Sequence, residues 1–114
     1  MADASPSDSD PMEEFKAFQK YVQVLHCPLR WTIISLLVHS PLSTHEILQG
    51  LQKKREHISR SGLYYHLSEL QKGDIIELAA YREEGGGAPE KVWQLKRKEI
   101  TINLTALSEV NHES

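Results

Sequence analysis

Cysteine is almost absent from this chain. Cys27 is the only one in 114 residues, so no internal disulfide framework can form, and a reducing cytoplasm is the simpler home. Long apolar runs are missing too. The longest, around Ile33 to Val38, falls far short of the roughly 20 residues a bilayer helix needs, so it suits a buried helix and no membrane partner is expected. The first residues show no leader-peptide pattern, and there is no internal repeat. Gly85, Gly86 and Gly87 are not followed by the Gly-Lys-Ser/Thr of a phosphate loop. No nucleophile has a base beside it and no carboxylates pair in a pocket-like place, which excludes an enzyme and leaves no cofactor to expect. Six histidines, His26, His39, His45, His57, His66 and His112, show neither HxxxH nor HxH spacing, so no metal site is expected.

Positive charge is also scarce, with a net charge of −3. The imbalance is local. Asp3, Asp8, Asp10, Glu13 and Glu14 crowd the first fourteen residues, where no base occurs; removing those five charges from −3 leaves +2 on residues 15–114. Lys53, Lys54, Arg55 and Arg60 cluster in mid-chain, and Lys96, Arg97 and Lys98 form a second group. Local charge governs phosphate binding, because salt screens beyond roughly 10 Å. The alternative is that both runs are simply solvated.

Residues 1–11 are Asp, Ser, Pro and Ala without apolar period, so they read as a disordered acidic tail. A domain is expected over 12–104, with a short tail at 105–114. Phe15, Phe18, Val22 and Leu25 form a stripe on a first helix, about Met12 to Leu25. Pro28 opens a second helix to about His39, with Leu29, Ile33, Leu36 and Leu37 on one side and Trp31, Ile34 and Val38 widening the apolar surface. Ser43-Thr44-His45-Glu46 fits a capping box, and Leu42 with Ile47 a hydrophobic staple, so a third helix starts near Thr44. After the polar stretch Gln52–His57, Ser59 can cap a fourth helix that runs to about Lys72, with Gly73 expected as its C′ residue. Leu63, Leu67 and Leu70 share its inner stripe, while Ser61, Tyr65, Ser68 and Glu69 face outward. The period then shortens. Ile76, Leu78 and Ala80 alternate in one strand, Trp93 and Leu95 in another, and the glycine-rich stretch between makes a hairpin. Ile100, Ile102 and Leu104 suggest a third extended segment.

Four helices followed by a hairpin is the order of an α+β winged helix-turn-helix domain. The sequences CPLRWTIISLLVHSPLSTHEIL and ISRSGLYYHLSELQKGDIIEL resemble the second to fourth helices and first wing strand of ArsR-like regulators. His66-Leu67, Leu70 and Gly73 carry the likeness, and YREEGGGAPEKVWQLK, with its Trp-x-Leu strand, resembles the wing of archaeal members. The resemblance covers about residues 24–97. It implies sequence-specific binding of double-stranded DNA, transcriptional control and a homodimer. The metal-sensing members' Cys-x-Cys pair has no counterpart in THEILQGL, nor is there a long C-terminal helix. On this reading Ser59, Ser61, Tyr65, Arg60, Gly62 and Tyr64 are candidates for base edges or phosphates. Lys53, Lys54, Arg55, Arg82 and Lys91 are candidates for phosphates. The Gly-rich wing tip would follow a minor groove, against which Glu83, Glu84 and Glu90 count. Phe15, Phe18, Val22 and Leu25 are expected at the dimer interface. A winged helix that binds protein instead of DNA is the alternative, because fold alone does not give function. Target site, effector and the sign of regulation are not encoded in any motif.

Overall fold

The computed structural model describes residues 11–83 and 87–105. The expected acidic tail, most of the expected C-terminal tail and Glu84–Gly86 of the wing lie outside them. The elements run α1 (Pro11–Leu25), α2 (Pro28–Leu37), β1 (Leu42–Ser43), α3 (Thr44–Lys53), α4 (Arg60–Lys72), β2 (Ile76–Arg82) and β3 (Glu90–Leu95). One compact unit spans Val24–Lys98; the described parts of Met1–Gln23 and Glu99–Ser114 belong to a second.

In the larger unit, Ile33, Leu37, Ile47, Leu51, Leu63, Leu67, Leu70, Ile75, Ile76, Val92 and Trp93 form the core. Each helix contributes through apolar residues three and four apart. On α2 the buried positions are Arg30, Ile33 and Leu37. The stripe therefore begins at a charged residue, and Leu29 and Leu36, which the pattern put on it, are half-buried. Nor is α2 enclosed all round: Trp31 and Val38 are exposed.

Helix α3 starts where its capping box demands. Ser43 Oγ accepts from the Glu46 N–H at 3.1 Å, and Glu46 Oε1 accepts from the Ser43 N–H at 2.8 Å. The preceding residues do more than cap. Leu42 and Ser43 pair antiparallel with Trp93 and Val92, so the third strand of the sheet lies ahead of α3, giving the order β1-β3-β2. The third extended segment expected at Ile100–Leu104 does not form: residues 99–103 carry no strand, and Leu104 and Thr105 are helical. Alternation alone could not choose between the two, because a two-residue strand has too few positions to show a period.

Both α3 and α4 end in the same hydrogen-bonded turn. At α3, Glu56 N–H donates to Leu51 O and Arg55 N–H to Gln52 O, each at 2.9 Å. At α4, Ile75 N–H donates to Leu70 O and Asp74 N–H to Gln71 O, each at 3.0 Å. These are Schellman turns, whose C′ residue must be left-handed. That residue is Arg55 (φ 65°) in one and Asp74 (φ 69°) in the other. Gly73, expected at C′, sits one place earlier with an ordinary φ of −78°. Its glycine is required by packing. A Cβ there would stand 2.6 Å from Val24 Cγ2.

Strand β2 carries a bulge between Leu78 and Ala80, which pair with Trp93 and Val92. Because Trp93 and Val92 point to opposite faces, Ala80 leaves the face of Ile76 and Leu78 on which strict alternation put it.

The Gly73–Val24 contact yields a clean test. Gly73→Ala should destabilise by roughly 1–3 kcal/mol through overpacking. Val24→Ala should itself cost stability, yet the double variant should be more stable than the two losses added. Additive losses in a denaturant cycle would show that the glycine is not there for Val24.

Candidate nucleic-acid interface

The N-terminus of α4 is built by Ser59. Its backbone is extended (φ −71°, ψ 161°), and its Oγ accepts the Gly62 N–H at 3.0 Å and lies 3.2 Å from Ser61 Oγ. That satisfies one of the first-turn donors. From this start the helical period sends Leu63, Leu67 and Leu70 fully inward and leaves Arg60, Ser61, Tyr64 and Tyr65 exposed. Ser68 and Glu69, placed outward by the sequence, are half-buried. Gly62 is half-buried as well, and a Cβ on it would come within 2.9 Å of Ile58 Cγ1. Its bare backbone serves the contact with Ile58.

The basic candidates divide into two sets. Lys53, Lys54 and Arg55 close α3 and are exposed; none of the three side chains has a hydrogen-bond or ion-pair partner among the described residues. Arg55 holds its left-handed φ without being glycine, a conformation that costs about 1 kcal/mol. The second set is engaged. Arg82 Nη1 pairs with Glu46 Oε2 at 3.2 Å. Lys96 Nζ and Arg97 Nη2 bond the two carboxylate oxygens of Asp74 at 2.6 and 2.7 Å. Lys91 is exposed, with Nζ 5.8 Å from the Trp93 ring centre.

The root of the wing is tied to the first turn of α3. Trp93 Nε1–H donates to Thr44 Oγ1 at 3.0 Å. Glu90, expected at the wing tip, instead begins β3, and its Oε2 accepts the His45 N–H at 2.6 Å. The carboxylate thus caps α3 from another strand. Glu46 is held in its charged form mainly by the Ser43 backbone N–H and also by Arg82, so its pKa falls below the usual value.

One residue that the sequence reading passed over stands behind the outward face. Arg30 of α2 is 7% exposed. Its Nε–H donates to His66 Nδ1 at 3.0 Å and its Nη1–H to Val24 O at 2.9 Å. The Arg30 guanidinium carbon lies 5.7 Å from the centre of the Tyr65 ring. The Tyr65 and His66 rings meet edge to face at 5.4 Å. Burial, then the Arg30 charge, lowers the His66 pKa, against a smaller opposite pull from Glu69. His66 is thus the packed, hydrogen-bonded histidine its place beside the leucines suggests. The signal for Arg30 was its place three and seven residues before Ile33 and Leu37 on α2.

Of the expected dimer residues, Val22 is 47% exposed and Phe15, Phe18 and Leu25 are half-buried. Trp31 is 54% exposed, and its Nε1–H donates to Leu25 O at 2.8 Å. Among the described residues no three His, Cys, Asp or Glu side chains converge on a metal position, and no helix is long and apolar enough to cross a membrane.

No protein-family model and no curated protein sequence matches this chain. Solved structures do. A PadR-like transcription factor from Bacteroides fragilis superposes with a TM-score of 0.55 at 23% identity, over 87% of this chain and 85% of that one. Reduced HlyU from Vibrio cholerae gives 0.58 at 17%, over 91% and 93%. NolR from Sinorhizobium fredii gives 0.57 at 17%, over 100% and 94%. At these identities the likeness establishes the fold, and the helices with their antiparallel hairpin are those of a winged helix.

Asp74 provides a pH test of this geometry. Hydrogen bonds from Lys96, then Arg97, hold its carboxyl down at about 2, against 3.8 ordinarily. A depressed carboxyl stabilises the fold above its unfolded pKa and loses that contribution as pH falls through the folded one. Asp74→Asn should therefore be less stable than the parent by a margin constant above about pH 5, narrowing below about 3.8 and closing near 2. Chemical unfolding at stepped pH measures it; a margin that persists at the acid end would assign the loss to something other than these ion pairs.

Proposed function

We propose that this chain is a cytoplasmic, sequence-specific DNA-binding transcriptional regulator of the ArsR-like kind, close to its archaeal members. Helix α4 enters the major groove and the β2–β3 wing lies along the neighbouring backbone. The observation that carries this reading is the division of α4. Its leucines are fully buried, and the face left to solvent holds a guanidinium, two phenols and a hydroxyl, at Arg60, Tyr64, Tyr65 and Ser61. Such groups donate to guanine O6 and N7 or touch a thymine methyl. The superposed structures include a PadR-like transcription factor and a transcriptional regulator, HlyU from Vibrio vulnificus, which supports the same use of the fold. Arg55 supports it independently. A cation kept in a left-handed turn where glycine would be unstrained has a use that outweighs the strain, and a phosphate contact beside α4 is such a use. Ser59, Lys53, Lys54 and Lys91 are further phosphate candidates, whereas the bare backbone of Gly62 is taken up by its contact with Ile58. Arg82 takes part only by exchanging Glu46 for a phosphate.

The rival, a winged helix that binds protein, draws on the net charge of −3 and on the internal pairing of Arg82, Lys96 and Arg97. Salt separates the two, because phosphate contacts release counterions and protein contacts do not. Arg60→Ala should weaken the selected duplex by roughly 1–3 kcal/mol more than a scrambled one. Arg55→Gly should keep or raise stability, weaken both duplexes alike and lower the salt slope by about one unit. Binding that ignores salt would favour the protein-binding rival, and equal losses for Arg60→Ala would move that arginine to the backbone.

Phe15, Phe18, Val22 and Leu25 on α1 support a homodimer through that helix, with recognition helices about 34 Å apart to match one DNA turn. Sedimentation at high micromolar concentration should give twice the 13.0 kDa chain mass. A 13.0 kDa particle there would remove the dimer.

A further inference from the structure

Arg30 is an expensive residue to bury. A guanidinium taken out of water needs a counter-ion or a full set of acceptors. Its hydrogen bonds go to Val24 O, a carbonyl in the last turn of α1, and to His66 Nδ1. Neither partner is a carboxylate. The third contact is the face of Tyr65. An apolar side chain would fill this stripe position of α2 at lower cost, as Ile33 and Leu37 do.

The three contacts act on one side chain. Tyr65 is 58% exposed, and an exposed tyrosine on a helix ordinarily exchanges rotamers within nanoseconds. This one has a guanidinium on its ring face and the His66 edge beside it. His66 is itself fixed. Arginine only donates, so Nδ1 must hold a lone pair and a neutral ring carries its proton on Nε2. The groups that face His66 are Arg30 from α2 and, from its own helix, Tyr65 and Glu69. A proton added at Nδ1 would set donor against donor and cation against cation.

We propose that Arg30 is a positioning residue for DNA reading: through His66 Nδ1 and the Tyr65 ring it holds Tyr65 in the single orientation that α4 presents to a base pair. This role rests on the DNA-binding reading of α4. In this role Arg30 acts on a base only through Tyr65, whose ring it covers.

The test uses the full chain, with Arg30→Met, which keeps the stem and removes the donors, and Arg30→Lys, which keeps charge and loses the fork. Without DNA, NMR couplings should show a single Tyr65 rotamer in the parent and averaging in both variants, and the His66 titration should move up in Arg30→Met, which removes the charge, more than in Arg30→Lys, which keeps it. With DNA, the probe is the duplex the parent enriches from a random pool, against a scrambled duplex. Arg30→Met should lose about tenfold on the enriched duplex and no more than about twofold on the scrambled one. In a Tyr65→Ala background the loss should shrink to about twofold or less. Parent binding to the enriched duplex should weaken as pH falls and His66 protonates, a dependence absent from Arg30→Met. Should Arg30→Met not fold, Arg30→Lys gives the same comparison. A Tyr65 that keeps its rotamer, equal losses on both duplexes, or an undiminished loss in the Tyr65→Ala background each overturns the positioning role. A parent that enriches no sequence overturns the DNA reading of α4, and this role with it.

Discussion

Three leucines decide what α4 can do. A surface helix is free to roll about its axis until something fixes it, and each residue of slip is a turn of roughly 100°. Leu63, Leu67 and Leu70 are completely buried. Each is worth about 1.5–3 kcal/mol against exposure, so a roll that brought them out would cost most of what a small domain has to spare. The ends are pinned too, by the Ser59 cap and by the turn in which Asp74 is left-handed and Ile75 N–H reaches back to Leu70 O. The exposure of Arg60, Ser61, Tyr64 and Tyr65 follows from the burial of the leucines.

The wing is held by a different kind of force. Arg82–Glu46 is a half-exposed ion pair, and such pairs contribute little. More is done by the hydrogen bonds that use the start of α3 as an anchor. The buried Trp93 indole needs an acceptor and finds Thr44 Oγ1. The free His45 N–H of the first helical turn finds the Glu90 carboxylate. Ser43 serves twice, as a strand residue opposite Val92 and as the cap of α3. The helix leading to α4 and the strand leading from the wing therefore share one origin.

Much of this was legible in the chain, and what escaped has a physical pattern. The boundaries of α1, α3 and α4 follow from stripes and caps, which are local. The leucine stripe and the Ser59 cap needed only helical period. Three features depend on partners distant in sequence. Leu42–Ser43 is a strand only because Trp93 and Val92 lie beside it. Gly73 is glycine because of Val24, although its place after α4 suggested a left-handed cap. Arg30 lies in the buried stripe because His66, 36 residues on, accepts from it. A polar residue on an apolar stripe is the one warning a sequence gives of such a bond, and α2 was read from its leucines instead. On α4 the helical period placed Ser61 and Tyr65 outward, as they are, but also Ser68 and Glu69, which are half-buried, while Glu90, Arg82, Lys96 and Arg97 gain their roles from contacts no local pattern shows.

Those contacts also resolve an apparent conflict in the charge. A chain at −3 is a poor candidate to approach a phosphate polymer if its charge is spread evenly. In the fold, acids and bases distant in sequence neutralise one another: Asp74 takes Lys96 and Arg97, and Glu46 takes Arg82. Glu90 is turned onto the α3 N-terminus. The cations left in water among the interface candidates are Lys53, Lys54 and Arg55 at the end of α3, Arg60 at the start of α4, and Lys91 at the base of the wing. Screening confines each field to roughly 8–10 Å, so an approaching polyanion responds to this group and hardly to the chain total. Glu46, Asp74 and Glu90 hold the wing and the end of α4 in place, while the negative total itself comes from the five acids of the first fourteen residues.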